Sequence, residues 1–246
     1  MSSEISNLKC FIIHLKRAKK RKIFVENIIK NIFMDTEVIY AVDGKLLSDT
    51  EINNIVDKNK FYSPKYPFKI NSGEIGCFLS HRKAWKKIVD QRLDAGLILE
   101  DDISIDPNIF NQSISFASKY IKDYKFIQFQ VRKLKKDSNL KLLRPLPSFL
   151  RTSAQLVSYE AAIELLERTK NIDRPIDTTL QMFWETKIKC FCINESGITD
   201  HTFEAGGSTL SEKKPSQLEI RRNIKRLIYR IKIIYISKYK KFRETL

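Results

Sequence analysis

The first 44 residues carry the pattern that most restricts the fold. Residues 10–15, CFIIHL, form an uninterrupted apolar run of strand length. Residues 17–33, RAKKRKIFVENIIKNIF, place Ile23, Val25, Ile28, Ile29 and Ile32 at helical spacing. Residues 37–44, EVIYAVDG, read as a second strand that closes on an Asp-Gly turn. Strand, helix and strand in this order predict a βαβ unit, and with it a parallel sheet.

The alternation continues along the chain. Residues 72–91 read as a helix with Ser72 as N-cap, Glu74 in the first turn, and Ile75, Phe78, Leu79, Ile88 and Val89 on one face. The strand LILEDD follows, then a helix from Pro107 to about Ile121. Strands are expected at 125–131, 153–159 and 187–193, helices at 160–169 and at the end of 174–185, and an excursion loop or hairpin at 133–148. The fold class is α/β with a mostly parallel central sheet. Ligands in such folds gather beyond the carboxyl ends of the strands.

One of those ends is unusual. Residues 96–106, GLILEDDISID, run an apolar strand directly into Glu100, Asp101 and Asp102. Three adjacent carboxylates repel one another. Either they stand in water at the surface or they hold a divalent cation such as Mg²⁺ or Mn²⁺, which would relieve the repulsion. Their position at a strand's carboxyl end favours the cation. Strand alternation would send Glu100 and Asp102 to one side and Asp101 to the other.

With 246 residues, 42% of them apolar, the chain suits one ordinary core with a small appendage. The net charge of +16 calls for an anionic partner: nucleic acid, a membrane surface or a phosphorylated ligand. Much of that charge is local. The last 36 residues hold twelve Lys/Arg against three Glu, and a second cluster, KRAKKRK, occupies residues 16–22. There is no RNA-binding aromatic motif or zinc finger, so nucleic acid is not the expected partner. The N-terminus shows no signal-peptide pattern and no stretch has transmembrane length, so a cytoplasmic protein is expected. Cys10, Cys77, Cys190 and Cys192 lie in apolar surroundings without a C-x-x-C pair or zinc spacing, and read as inert buried thiols.

FIIHLKRAKKR, AVDGK, GEIGCFLSHRKAWKKIV and LILEDD, in this order and spacing, resemble glycosyltransferase family 25. The family contains bacterial lipooligosaccharide galactosyltransferases and related collagen-modifying enzymes. The resemblance extends through SAQLVSYEAAIELL and RPIDTTLQMFW, over roughly residues 8–210. It implies a GT-A-like, Rossmann-related sandwich, a UDP-sugar donor, an inverting reaction and a divalent metal, Mn²⁺ or Mg²⁺. Leu99–Asp102 matches the family's acidic metal motif. Asp102 is the preferred ligand, Glu100 acts directly or through water, and Asp101 holds the ribose or a backbone amide. His14-Leu15-Lys16-Arg17 matches the first-strand motif, with His14 standing where Ser or Asn is usual.

The remaining donor-site candidates follow from the same match. Arg17 and Arg21 would meet the donor's phosphates, the alternative being a solvated basic face. Asp43 and Gly44 would hold the nucleoside, although an Asp-Gly turn needs no function. Ser80 and His81 would border the donor. Asp177 is the expected base that takes the proton of the acceptor hydroxyl, against a simple capping role, with Glu185 in reserve. His201 would complete the metal shell. Trp85 and Trp184 would stack on sugar or pack in the core.

The leading function is therefore an inverting transfer of a hexose, galactose first, from a UDP-sugar to a lipid-linked lipooligosaccharide acceptor. A nucleic-acid-binding protein and a metal-dependent phosphohydrolase are the alternatives. The catalytic domain is set at residues 1–210 and a basic helical tail at 211–246. In the tail, Ile220, Ile224, Leu227, Ile228, Ile231 and Tyr235 fall on one helical stripe, with Arg222, Lys225, Arg226, Arg230 and Lys232 around the rest. Such a helix suits an anionic membrane surface, here the inner membrane, unless the stripe docks on the protein's own core.

Overall fold

The computed structural model describes residues 6–57, 63–129, 141–202, 204 and 216–244. The initial βαβ unit is present: β1 Leu8–His14, α1 Lys22–Asn31 and β2 Thr36–Tyr40, with β1 and β2 parallel. The helix starts later than its apolar spacing suggested, after a short 3-10 turn at Lys19–Arg21. A second helix, α2 Asp49–Ile55, had no counterpart in the sequence reading; Ser48 and Glu51 start it with a capping box.

α3 Ser72–Asp90 is capped by Asn71 rather than Ser72, and Glu74 completes a capping box by reaching back to the Asn71 amide. β3 Ala95–Glu100 and β4 Ile103–Ile105 follow, then α4 Pro107–Tyr124, whose N-cap is Asp106. β5 Phe126–Phe129, β6 Leu142–Leu143, β7 Ala154–Ser158, α5 Tyr159–Arg168, α6 Ile176–Leu180, α7 Phe183–Thr186, β8 Phe191–Ile193 and β9 Ile198–Asp200 complete the body. α8 Ser216–Glu244 is the tail helix. The boundary set at 210/211 lies outside the described residues.

The main sheet has the order β2-β1-β3-β7-β5-β8-β6, and five of its seven strands point the same way. β7 runs against β3 and β5, and β6 against β8. The described part of the connection into β7, residues 141–153, holds no helix to carry the chain back across the sheet, so β7 enters from the opposite end. β4 and β9 form a separate antiparallel pair.

The strands are apolar throughout because both sheet faces are covered. Phe11, Ile13 and Ile98 point into one core with Phe78, Trp85, Ile88 and Ala162 of α3 and α5. Cys10, Ile12, Leu97 and Leu99 point into the other with Val25, Ile28, Phe110 and Ile114 of α1 and α4. In the first of these cores Trp85 is wholly buried, edge-on to Phe78, and is a core residue. Of the α1 positions, Val25 and Ile28 are buried while Ile23 and Ile29 are exposed.

Two glycines fix how the loop after β2 meets α3. A Cβ on Gly44 would lie 1.7 Å from the Ser72 carbonyl oxygen, and one on Gly76 would lie 2.6 Å from Gly44 N and Val42 O. Ser80 clamps the same junction by donating to Gly76 O at 2.6 Å and accepting from Val42 N at 2.8 Å. This contact holds the AVDG turn and α3 against one side of a cavity.

Candidate active site

The carboxyl ends of β1, β2 and β3 meet the amino end of β7, and a cavity of about 420 Å³ opens there. Leu15, Arg17, Arg21, Asp43, Gly44, Ser80, His81, Glu100, Asp101, Asp102 and Asp177 all line it. Apart from His201, every residue assigned to metal, donor or base from the sequence thus lines one space. The reserve positions do not: Glu185 and His201 are absent from its walls, and Trp184 instead donates to Ser63 O at 3.3 Å.

The three acids of LEDD are compensated unequally. The strand ends at Glu100 and the chain turns at 101–102, so the alternation expected across the triplet stops. One guanidinium consequently reaches both aspartates: Arg21 Nη1 donates to Asp101 Oδ1 at 2.7 Å, and its Nη2 lies 3.2 Å from Asp102 Oδ2. Asp101 Oδ2 also accepts from Leu15 N at 3.2 Å and lies 2.8 Å from His14 Nδ1. Asp101 thus holds the Leu15 backbone amide. His14 faces this carboxylate instead of lining the cavity.

Glu100 Oε1 accepts from Thr152 Oγ1 at 2.9 Å and lies 3.1 Å from His81 Nε2. Burial alone would raise its carboxyl, but the hydrogen bond and charge of His81, with Thr152 and Arg21, hold it below the ordinary range. Asp102 is left worse off. Its Oδ2 accepts from Thr202 Oγ1 at 3.0 Å, while its Oδ1 is buried with no hydrogen-bond partner. Burial first, and then the charges of Glu100 and Asp101, push its carboxyl up to about 6 against the pull of Arg21. An orphaned oxygen on a buried, electrostatically strained carboxylate is the position that a divalent cation would relieve, so Asp102 fits a hard-metal ligand.

Asp177 sits in the first turn of α6, whose N-cap is Pro175, so it is not the cap. Its Oδ1 accepts from Thr178 N at 2.6 Å and Thr178 Oγ1 at 3.1 Å, and its Oδ2 meets Arg151 N at a long 3.4 Å. Burial raises its carboxyl above the ordinary range, more than these hydrogen bonds lower it. Arg17 and Asp43 lie on the cavity rim as an ion pair, Nε to Oδ2 at 2.5 Å. Asp43 also accepts from Lys45 N at 3.1 Å.

His201 was a candidate for the metal shell, but its side chain turns away. Nε2 lies 2.8 Å from Ser104 Oγ and Nδ1 faces Glu204. The neighbouring Thr202 reaches Asp102 instead, because the β4–β9 pairing holds residues 198–202 beside the acids. Thr202, Arg151, Thr152, Cys77 and Tyr66 line the cavity without having been singled out. Only Cys77 had a usable signal: it precedes His81 by four residues in a helix, so both share a face.

The sequence model described as "Glycosyltransferase family 25 (LPS biosynthesis protein)" matches residues 7–180. A "Glycosyltransferase 25 family member" of Drosophila melanogaster is 31% identical over 197 residues, covering 74% of this chain and 32% of that protein. Procollagen galactosyltransferase 2 of Homo sapiens is 34% identical over 98 residues, covering 38% of this chain and 15% of that protein. The chain thus spans less than a third of the length of either relative. Among solved structures, a mutant Drosophila galactosyltransferase 7 in complex with manganese, UDP-Gal and xylobiose aligns with a TM-score of 0.45 at 10% identity, over 88% of this chain and 80% of that one.

Proposed function

Because this chain belongs to glycosyltransferase family 25, we propose that it transfers galactose from a UDP-sugar to a saccharide hydroxyl, inverting the anomeric centre. The observation that carries this reading is the pairing of two differently treated carboxylates in one cavity. Asp102 presents an orphaned oxygen suited to a cation, while Asp177 presents a loosely held oxygen and a raised proton affinity suited to a base.

In this mechanism Asp177 Oδ2 accepts the proton of the acceptor hydroxyl as that oxygen attacks the anomeric carbon. The bond to the diphosphate oxygen breaks on the opposite face. Asp102, with Glu100 beside it, would hold a divalent cation, which when bound would neutralise charge on the departing diphosphate. Arg17 adds positive charge at the rim, and Arg21 orients Asp101 and Asp102 from behind them. The phosphohydrolase alternative lacks histidine ligands: of the three histidines His81 alone lines the cavity, while His14 and His201 face Asp101, Ser104 and Glu204.

The acceptor we assign is a lipooligosaccharide at the cytoplasmic face of an anionic membrane. Support comes from the family description and from α8. Tyr229, Ile233 and Ser237 are buried against the body, whereas Ile220, Ile224, Leu227, Ile228, Ile231 and Tyr235 are 48% to 71% exposed. At 100° per residue the exposed group is centred opposite the buried one. Arg221, Lys225, Arg230 and Lys232 flank it in the solvent. An outward apolar stripe with basic flanks complements an anionic lipid surface. No helix among the described residues is long and apolar enough to cross a membrane.

The deciding experiment follows UDP release from a panel of UDP-hexoses with Mn²⁺, with lipooligosaccharide or a collagen-like peptide as acceptor. Release from UDP-galactose, accelerated by lipooligosaccharide, is the expected result. Acceleration by the peptide alone would move the acceptor to the collagen class, and no release from any donor would end the transferase reading.

A further inference from the structure

Cys77 and His81 stand one turn apart on α3 and both line the cavity. β3 brings Glu100 to them. A Cys77 Sγ, a His81 ring nitrogen and a Glu100 carboxylate oxygen all lie within 4.8 Å of one another. His81 Nε2 and Glu100 Oε1 are already 3.1 Å apart, close to the ~3.3 Å that separates two ligands bound tetrahedrally at about 2.0 Å.

The far side of the imidazole is prepared as well. His81 Nδ1 is 2.7 Å from the Gln155 side-chain amide, and Gln155 Oε1 is buried with no hydrogen-bond partner. Turning that amide end for end places the orphaned oxygen against Nδ1. Nδ1–H then donates to it, and Nε2 presents its lone pair toward Cys77 and Glu100. Histidines that bind metals are held in this way, with the second nitrogen donating to an oxygen. Burial first, and then the charges of Glu100, Asp177, Asp102 and Glu74, hold the Cys77 thiol well above its ordinary range, and the same negative field draws a cation that would displace the thiol proton.

We propose that Cys77, His81 and Glu100 form a Zn²⁺ site within the cavity, with the fourth position open. One thiolate, one imidazole and one carboxylate suit Zn²⁺, whereas Mn²⁺ and Mg²⁺ prefer oxygen and would stay with Asp102. Binding releases the thiol proton to solvent. It also breaks the His81–Glu100 hydrogen bond and turns the Glu100 carboxylate away from Thr152. The site shares Glu100 with the Asp102 metal position but takes its sulfur and nitrogen ligands from α3, and it does not depend on the transferase reading.

The test is a Co²⁺ titration of the metal-free full-length protein under reducing conditions. A thiolate-to-cobalt charge-transfer band should appear and be bleached by Zn²⁺. Asp102→Asn should keep the band and Cys77→Ser should lose it, with circular dichroism checking that each variant is folded. Gln155→Leu should weaken Co²⁺ binding by about 10- to 100-fold, the usual effect of removing such a partner. Should Cys77→Ser fail to fold, His81→Gln takes its place, and loss of the band is again the expected result. Absence of the band in wild type, its persistence in either ligand variant, or a Gln155→Leu affinity equal to wild type would overturn the site. None of these outcomes bears on Mn²⁺-dependent UDP release, which is measured separately.

Discussion

Arg174 Nη1 donates to the Tyr229 hydroxyl at 2.8 Å and so ties the C-terminal helix to the segment that carries Asp177. Arg174 is completely buried. Asp173 pairs with its other nitrogens at 2.8 and 2.6 Å, and Pro64 O accepts at 3.2 Å. Its guanidinium lies over the Tyr66 and Tyr229 rings at 5.8 and 6.0 Å, and Tyr66 is itself a wall of the cavity. The tail is therefore not a freely separable anchor. Lys189 and Arg144 add contacts to Glu244 at its far end.

Tyr229→Phe keeps the ring that meets Tyr66 edge-on at 5.4 Å and removes only the hydroxyl. A hydrogen bond to a charged group contributes about 1.5–3 kcal/mol, so denaturant unfolding should show a loss of that size. Arg174→Ala should cost more, about 3–5 kcal/mol, because it leaves the Asp173 carboxylate without its buried partner. Equal stability of wild type and Tyr229→Phe would mean that the tail does not contribute to the body.

Asp102→Asn should separate stability from turnover. The folded Asp102 carboxyl titrates near 6, above its ordinary value of 3.8. Between these values the folded state binds more protons than the unfolded one, so metal-free stability falls as pH rises through this window. The penalty is complete above it and amounts to on the order of 2–3 kcal/mol. Asn carries no charge and escapes it. The metal-free variant should melt higher than wild type at pH 7, with the gap closing toward pH 4, while metal-dependent transfer is largely lost. A gap independent of pH would show that the Asp102 charge is not the cause.

Asp177→Asn should lower transfer by roughly two to four orders of magnitude with donor affinity nearly intact, the scale of a lost general base. The raised Asp177 carboxyl places the acid limb of the wild-type rate profile above the ordinary carboxylate range, and the variant should lack that limb. Glu185→Gln should transfer at close to the wild-type rate, since Glu185 does not line the cavity. Collapse of donor binding in Asp177→Asn would make Asp177 a binding residue.

Much of this architecture is legible in the chain because it is local. Apolar runs such as FIIHL and LILE predict strands buried on both faces, and the 3.6-residue spacing around Phe78 and Ile88 predicts α3. The glycines of AVDG and GEIG are punctuation whose reason, a backbone contact between Gly44 and Gly76, exists only in three dimensions. The same holds for charge. That Arg21 would straddle Asp101 and Asp102 needs a turn after Glu100, and that Thr202 rather than His201 would face Asp102 needs β4 to pair with β9. The direction of β7 is illegible too, since an apolar strand reads the same whichever end it enters from.

The apolar stripe of α8 is tested for membrane binding by substitution rather than by deletion of the helix. Deletion would also remove Tyr229 from Arg174 and confound binding with folding. Ile224, Leu227 and Ile231 are exposed and lie opposite the docked face. Replacing all three by Gln should leave the melting temperature within a few degrees of wild type, as surface changes generally do. Burial of a Leu or Ile side chain in the lipid interface contributes about 1.5–3 kcal/mol, so their joint loss should abolish sedimentation with vesicles rich in phosphatidylglycerol. Raising the salt concentration should weaken wild-type binding as well, because the flanking Arg221, Lys225, Arg230 and Lys232 act through a screened field. Donor hydrolysis in solution should be unchanged. Undiminished sedimentation of the triple variant would exclude the stripe as the membrane-facing surface, and loss of solution activity would instead assign it to the fold of the catalytic body.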